Sequence, residues 1–163
     1  MHPRVKFILD GIQNRLNSVS IDLENDLVKI ITGELTNLKE GKTFDDVVRI
    51  HFEYDYNDLN IYFWQEDYDQ NVLNDRVFAI PINKTDDLFP NELSDIDLED
   101  ELYDAGYSEE EIYNNILANY DEDRCEILEQ WFHQCWKNSR EKVELTKQAF
   151  FSIHDTNSKT KLN

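Results

Sequence analysis

The sequence predicts an α+β fold, a mainly antiparallel sheet of three to five strands covered by N-terminal and C-terminal helices, in one domain over residues 1–163. Three observations carry this. Apolar residues recur at helical spacing in the first forty residues and again near residue 130. Between those stretches the period switches to two, as in a strand with one apolar face. Finally, 40% of the residues are hydrophobic and there are only 4 Gly and 3 Pro, so the chain can fill a core and breaks its regular elements rarely.

The elements follow in order. Val5, Ile8, Leu9, Ile12 and Leu16 share one helix face, and Pro3 suits a first turn. Ser18-Val19-Ser20 breaks or bends that helix. A second helix carries Leu23, Leu27, Ile30, Ile31, Leu35 and Leu38, with Asp22, Glu24 and Asp26 near its N-terminus and Gly41 as its stop. Val48, Ile50, Phe52 and Tyr54 then alternate with Val47, Arg49, His51 and Glu53 in a strand. The loop Asp55 to Asp58 joins it to Leu59 to Trp64 as a hairpin. Gln65 to Asp75 reads as a polar connection, and Arg76 to Ile82 as a third strand that Pro81 places at an edge or a strand end. Leu98 and Leu102 predict a short helix ended by Ala105-Gly106. Ser108 and Glu111 form a capping box for a helix burying Ile112, Tyr113, Ile116 and Leu117, with a turn or new cap at Asn119 to Asp123. Arg124, Ile127, Leu128, Trp131, Phe132, Cys135 and Trp136 mark the clearest helix, whose aromatics pack it on the sheet. Ala149 to His154 reads as a strand, Asp155 to Ser158 as a turn, and Lys159 to Leu162 as a strand pairing back.

Charge bounds the function. The net charge is −19 and unevenly spread: residues 1–42 sum to zero, 43–83 to −7, 84–129 to −15 and 130–163 to +3. Such a chain repels nucleic acid and anionic membranes and attracts basic proteins. No apolar run is long enough to span a bilayer, and the start lacks the pattern of a secretory signal. Cys125 and Cys135 lie about 15 Å apart along one helix, too far to pair there, and free thiols fit a cytoplasmic location.

No catalytic or cofactor chemistry stands out. Asp67-x-Asp69-x-Asn71 opens like a calcium loop, but Val72 stands where Gly is needed and Phe78 where Glu is needed. His133 and Cys135 point different ways on a helix, which argues against a metal site. There is no nucleophile elbow and no phosphate loop, and the acids around Cys125 would raise its thiol pKa. Carboxylates are so frequent that any single pair is uninformative. The aromatics Phe52, Tyr54, Tyr56, Tyr62, Phe63, Trp64 and Tyr68 read as core and cross-strand pairs. As a stacking platform for bases they would need basic neighbours, and theirs are acidic.

The acids from Asp86 to Glu129 are either a solvated surface that keeps the chain soluble or a surface for a cationic partner. The second reading takes Asp55, Asp58, Glu66 and Asp67 of the hairpin with Asp95, Asp97, Glu99, Asp100, Glu101 and Asp104 as partner-binding residues. With Asp95 to Asp104, Ser108 to Glu111 and the acid-rich hairpin, the chain resembles the immunity proteins of bacterial toxin–immunity systems, without a motif for any named family. The resemblance implies a small acidic cytoplasmic inhibitor, not an enzyme, that needs no cofactor. Its partner would be a basic protein, a cognate toxin and commonly a nuclease. An acidic mimic of nucleic acid that blocks a DNA-binding protein is the alternative, and an enzyme of unrecognised type a second.

Overall fold

Two helices open the chain, as their apolar period requires. The computed structural model describes residues 1–84, 88–157 and 159–162. Thr85, Asp86 and Asp87, which open the acidic stretch, and Ser158, the end of the expected turn, lie outside the described residues. The chain divides into two units, Met1–Ser20 with Asp86–His133, and Ile21–Thr85 with Gln134–Asn163. Among the described residues no helix is long and apolar enough to cross a membrane.

The first unit is helical. α1 (Pro3–Ser18) begins with Pro3 in its first turn, and His2 Nδ1 accepts from Arg4 N–H at 3.3 Å. The stripe Val5, Ile8, Leu9, Ile12 and Leu16 is fully buried. Gly11 stands within this continuous helix where the Leu93 side chain, on the 3-10 turn Asn91–Leu93, packs in the place a Cβ would take. α3 (Leu98–Asp104) buries Leu98 and Leu102 as expected, and Ala105 closes it ahead of Gly106, whose φ is +89°. The next helix, α4, starts at Glu109–Glu111, passes through a π-helical stretch at Ile112–Leu117 and continues as α-helix over Ala118–Arg140. The capping box is present: Ser108 Oγ accepts from Glu111 N–H, and Glu111 Oε2 accepts from Ser108 N–H at 2.9 Å.

Two expectations about α4 are corrected. Asn119 to Asp123 is neither turn nor cap, but helix. Polar residues at four-residue spacing belong to the outer face of a continuous helix, and a local scan mistakes them for a break. Tyr113 is exposed rather than buried. The π stretch winds more slowly than an α-helix, so it realigns the inner face: Ile112 and Tyr120 are buried, whereas Ile116 and Leu117 are partly exposed. Trp131 and Phe132 are buried, and Trp131 Nε1–H donates to Ser20 Oγ at 2.9 Å.

The second unit carries the sheet. α2 (Ser20–Thr32) buries Leu23, Leu27, Ile30 and Ile31 and stops at Gly33, φ +80°, eight residues before the expected stop at Gly41. The Phe44 ring lies against Gly33, so a side chain there would be both strained and obstructed. Leu35 and Leu38 are therefore outside the helix, and Leu38 bridges to Asn74 instead.

Strands β1 (Arg49–Tyr54), β2 (Ile61–Glu66), β3 (Phe78–Ile80), β4 (Gln148–Ile153) and β5 (Lys159–Leu162) form one mixed sheet in the order β3-β2-β1-β4-β5. The hairpin β1/β2, the edge position of β3 just before Pro81, and the antiparallel return of β5 onto β4 are as expected. One pairing differs: β1 and β4 run parallel, with Phe52 opposite Phe151. Parallel neighbours need a long crossover, and here the chain between them makes two strands and the helices α3 and α4. On one face Ile50, Phe52, Tyr54, Ile61, Phe63 and Phe151 are buried, and the Phe52 and Trp136 rings meet with centroids 5.5 Å apart. Glu24 ties α2 to the end of α4, accepting from Asn138 Nδ2 at 2.7 Å and pairing with Lys142 Nζ at 2.5 Å. Burial would raise its carboxyl pKa, but these two donors hold it below the ordinary value.

Candidate functional site

The first unit concentrates the charge: its sequence carries eighteen acids against four bases, a net −14 of the total −19. Within it, the acids named from the sequence divide by what they touch. Asp95 Oδ2 accepts from Tyr120 Oη at 2.9 Å and Arg124 Nη1 at 3.0 Å. Burial, then the Asp95 carboxylate, pushes the Tyr120 phenol pKa well up. Glu99 accepts from the Tyr113 hydroxyl, and that bond, more than anything else, raises the Tyr113 pKa. Glu101 pairs with Arg4 at 3.6 Å. Asp97, Asp100 and Asp104 are exposed, and among the described residues their side chains make no hydrogen bond or ion pair. Glu109 and Glu110, at the start of α4, are in the same condition.

These free carboxylates stand among exposed apolar and aromatic side chains. Ile96 is 84% exposed, Tyr103 42% and Tyr113 42%. Helical period alone puts Tyr113 in the core, which conceals this interleaving.

A cleft of about 520 Å³ opens in the same unit, walled by Met1, His2, Pro3 and Val5 on one side and by Tyr107, Asn115, Ile116, Asn119, Tyr120 and Asp123 on the other. Asn115 and Ile116 belong to the π stretch. The rings of His2 and Tyr107 meet edge-on at 5.7 Å. The spacing Asn115, Asn119, Asp123 is present in the sequence, but a turn or new cap expected at Asn119 to Asp123 separates Asn115 from the other two.

The hairpin acids belong to the second unit. Asp55 and Asp58 sit in the loop before β2 and each accepts from a backbone N–H two residues on, Asn57 at 2.8 Å and Asn60 at 2.8 Å. Glu66 and Asp67 lie at the other end of β2, about 17–20 Å away for a strand of ordinary length. They do not form one patch with Asp55 and Asp58. Asp67 accepts from Asn71 N–H at 2.9 Å and from Asn71 Nδ2, which holds its carboxyl below the usual range.

Glu66 serves an aromatic stack that the sequence reading missed. His51 lies between Trp64 and Phe150, each ring 5.2 Å away and nearly parallel. Glu66 accepts from Trp64 Nε1 at 2.9 Å through one oxygen and meets His51 Nε2 at 3.0 Å through the other. His51 is only 2% exposed, and burial pulls its pKa below the ordinary value although Glu66 opposes this. A histidine held neutral by the fold contributes stability that is present above pH about 6.5 and is lost as pH falls through the folded-state value. Thermal melts at pH values on either side of that window should therefore show the parent losing more stability on acidification than His51→Gln. Equal losses would mean that the stack does not carry the dependence.

Comparison with known protein families, curated proteins and solved structures finds no match.

Proposed function

We propose that the chain is an acidic inhibitor that works by binding rather than by catalysis, and that its partner is a basic protein, a cognate toxin of the bacterial toxin–immunity kind acting in the cytoplasm. The observation that supports this best is the surface of α3 and the start of α4. There Asp97, Asp100, Asp104, Glu109 and Glu110 are unengaged among the described residues and stand among Ile96, Tyr103 and Tyr113. Unengaged carboxylates attract a cationic surface over distance, and exposed aromatics supply contact area once it arrives. Asp95, Glu99 and Glu101 support the same surface from beneath by fixing Tyr120, Tyr113 and Arg4.

Affinity capture from the native host, followed by association kinetics with the purified partner, tests the reading. The expected partner is basic and is inactivated in complex. A neutral or acidic partner would overturn the proposal, and a DNA-binding partner displaced by duplex DNA would turn it into the nucleic-acid mimic. A related expectation concerns nucleic acid itself. At about 0.15 M salt, where charges are screened beyond about 8 Å, the protein should give no gel shift with duplex DNA or RNA. A clear shift at micromolar protein would contradict the electrostatic reading.

A further inference from the structure

The cleft in the first unit has a wall with no internal role. Asn115, Asn119 and Asp123 recur every four residues along α4, and among the described residues none of their side chains makes a hydrogen bond or ion pair. Their neighbours differ. Arg124 gives its guanidinium to Asp95 at 3.0 Å and Asp121 at 3.5 Å, and Tyr120 gives its hydroxyl to Asp95. The charge of the nearby arginine is thus already matched, whereas the Asp123 carboxylate at the cleft is not. The rest of the wall is Pro3, Val5, Ile116 and the Tyr107 and Tyr120 rings, with Met1 and His2 at its α1 side, so that the cleft also carries the terminal ammonium and an imidazole.

Resting on the partner-binding reading above, we propose that this cleft receives an arginine side chain of the basic partner. The surrounding unit carries a net −14, so an anionic ligand would enter against the field and a cationic one with it. Among cations, guanidinium fits the wall best. It is planar and carries five N–H donors, which suit one carboxylate and two carboxamide oxygens. Its aliphatic stem lies well against Pro3 and Ile116, and its flat face against the exposed Tyr107 ring, since Arg124 already covers the buried Tyr120 ring. A lysine ammonium would find the same carboxylate but would leave the flat walls unused. The π stretch has a part in this: it places Asn115 and Ile116 at the cleft while Ile112 and Tyr120 stay buried.

The test uses the isotope-labelled full chain and NMR, with N-acetyl-arginine methylamide as the probe. Its norleucine, lysine and glutamate counterparts serve as comparisons. The arginine probe should shift the side-chain amide signals of Asn115 and Asn119 saturably, more strongly than the lysine probe, while the norleucine and glutamate probes leave them in place. Asp123→Asn, which keeps a hydrogen-bond acceptor but removes the charge, should weaken the arginine response by about three- to tenfold. Asn119→Ala, at an exposed helical position, should weaken it less and guards against a folding defect in the first variant. An equal response to norleucine, a stronger response to glutamate, or no movement of the two amides would overturn the inference. The two readings fail separately. A cleft indifferent to arginine, in a protein whose partner still associates in a salt-dependent way, refutes the cleft alone. A cleft that takes arginine, in a protein whose partner is not basic, refutes the function above.

Discussion

Replacing Asp97, Asp100 and Asp104 by Asn, together with Glu109 and Glu110 by Gln, is expected to slow association with a basic partner by about tenfold or more and to flatten its salt dependence. These five side chains are exposed and unengaged among the described residues, so their charge acts on the partner and little on the fold. Asp95, Glu99 and Glu101 are deliberately spared. Removing the Asp95 carboxylate would strip Arg124, itself 8% exposed, of an ion-pair partner, and a slower rate could then reflect damage. Steering charges change the on-rate, whereas a few desolvated anchors set the off-rate. Tyr103→Ala and Tyr113→Ala should therefore speed dissociation with little change in association. Stopped-flow kinetics across a salt series separates the two. If the five-fold neutralised variant associates at the parent rate at every salt concentration, this surface is only a solvated face.

Trp136→Ala should destabilise the protein by about 3–5 kcal/mol, as truncating a buried aromatic usually does. Trp136 is 4% exposed and its ring meets Phe52 at the centre of the sheet, so the variant leaves a cavity against a strand that is paired on both sides. That is a large fraction of an ordinary domain's stability. Denaturant unfolding followed by far-ultraviolet circular dichroism measures it. An unchanged midpoint would mean that the contact is not one the fold depends on.

Where the sequence was legible, one local signal sufficed. The stripe from Val5 to Leu16 is a single amphipathic face, and Ser108 with Glu111 is a complete cap within four residues. Where it misled, the deciding partner was distant. Gly33 ends α2 beside the Phe44 ring, and a scan for the next helix breaker settles on Gly41 instead. The parallel pairing of β1 with β4 leaves no local mark, because either strand could equally accept an antiparallel neighbour. The acidic surface shows the same division. Composition located the carboxylates, yet Arg4 opposite Glu101, Arg124 opposite Asp95 and Tyr113 opposite Glu99 are tertiary facts that decide which of them remain unengaged. The His51 stack was hidden for the same reason, since Trp64 and Phe150 reach it from the two strands flanking β1.

The β1–β4 ladder also bears on how the protein is made. Residues 49–54 leave the ribosome well before residues 148–153, and one flank can pair at once with β2. The other flank has to wait for residues 148–153. During that interval a strand bearing Ile50, Phe52 and Tyr54 presents an open edge of unpaired backbone groups, the kind of edge on which chains aggregate. Closing so long a loop is also slow, because its entropy is lost before the contact repays it. Synthesis of this chain should therefore have a window of vulnerability that ends only when β4, and with it the lysine-bearing β5 that becomes the new edge, has arrived.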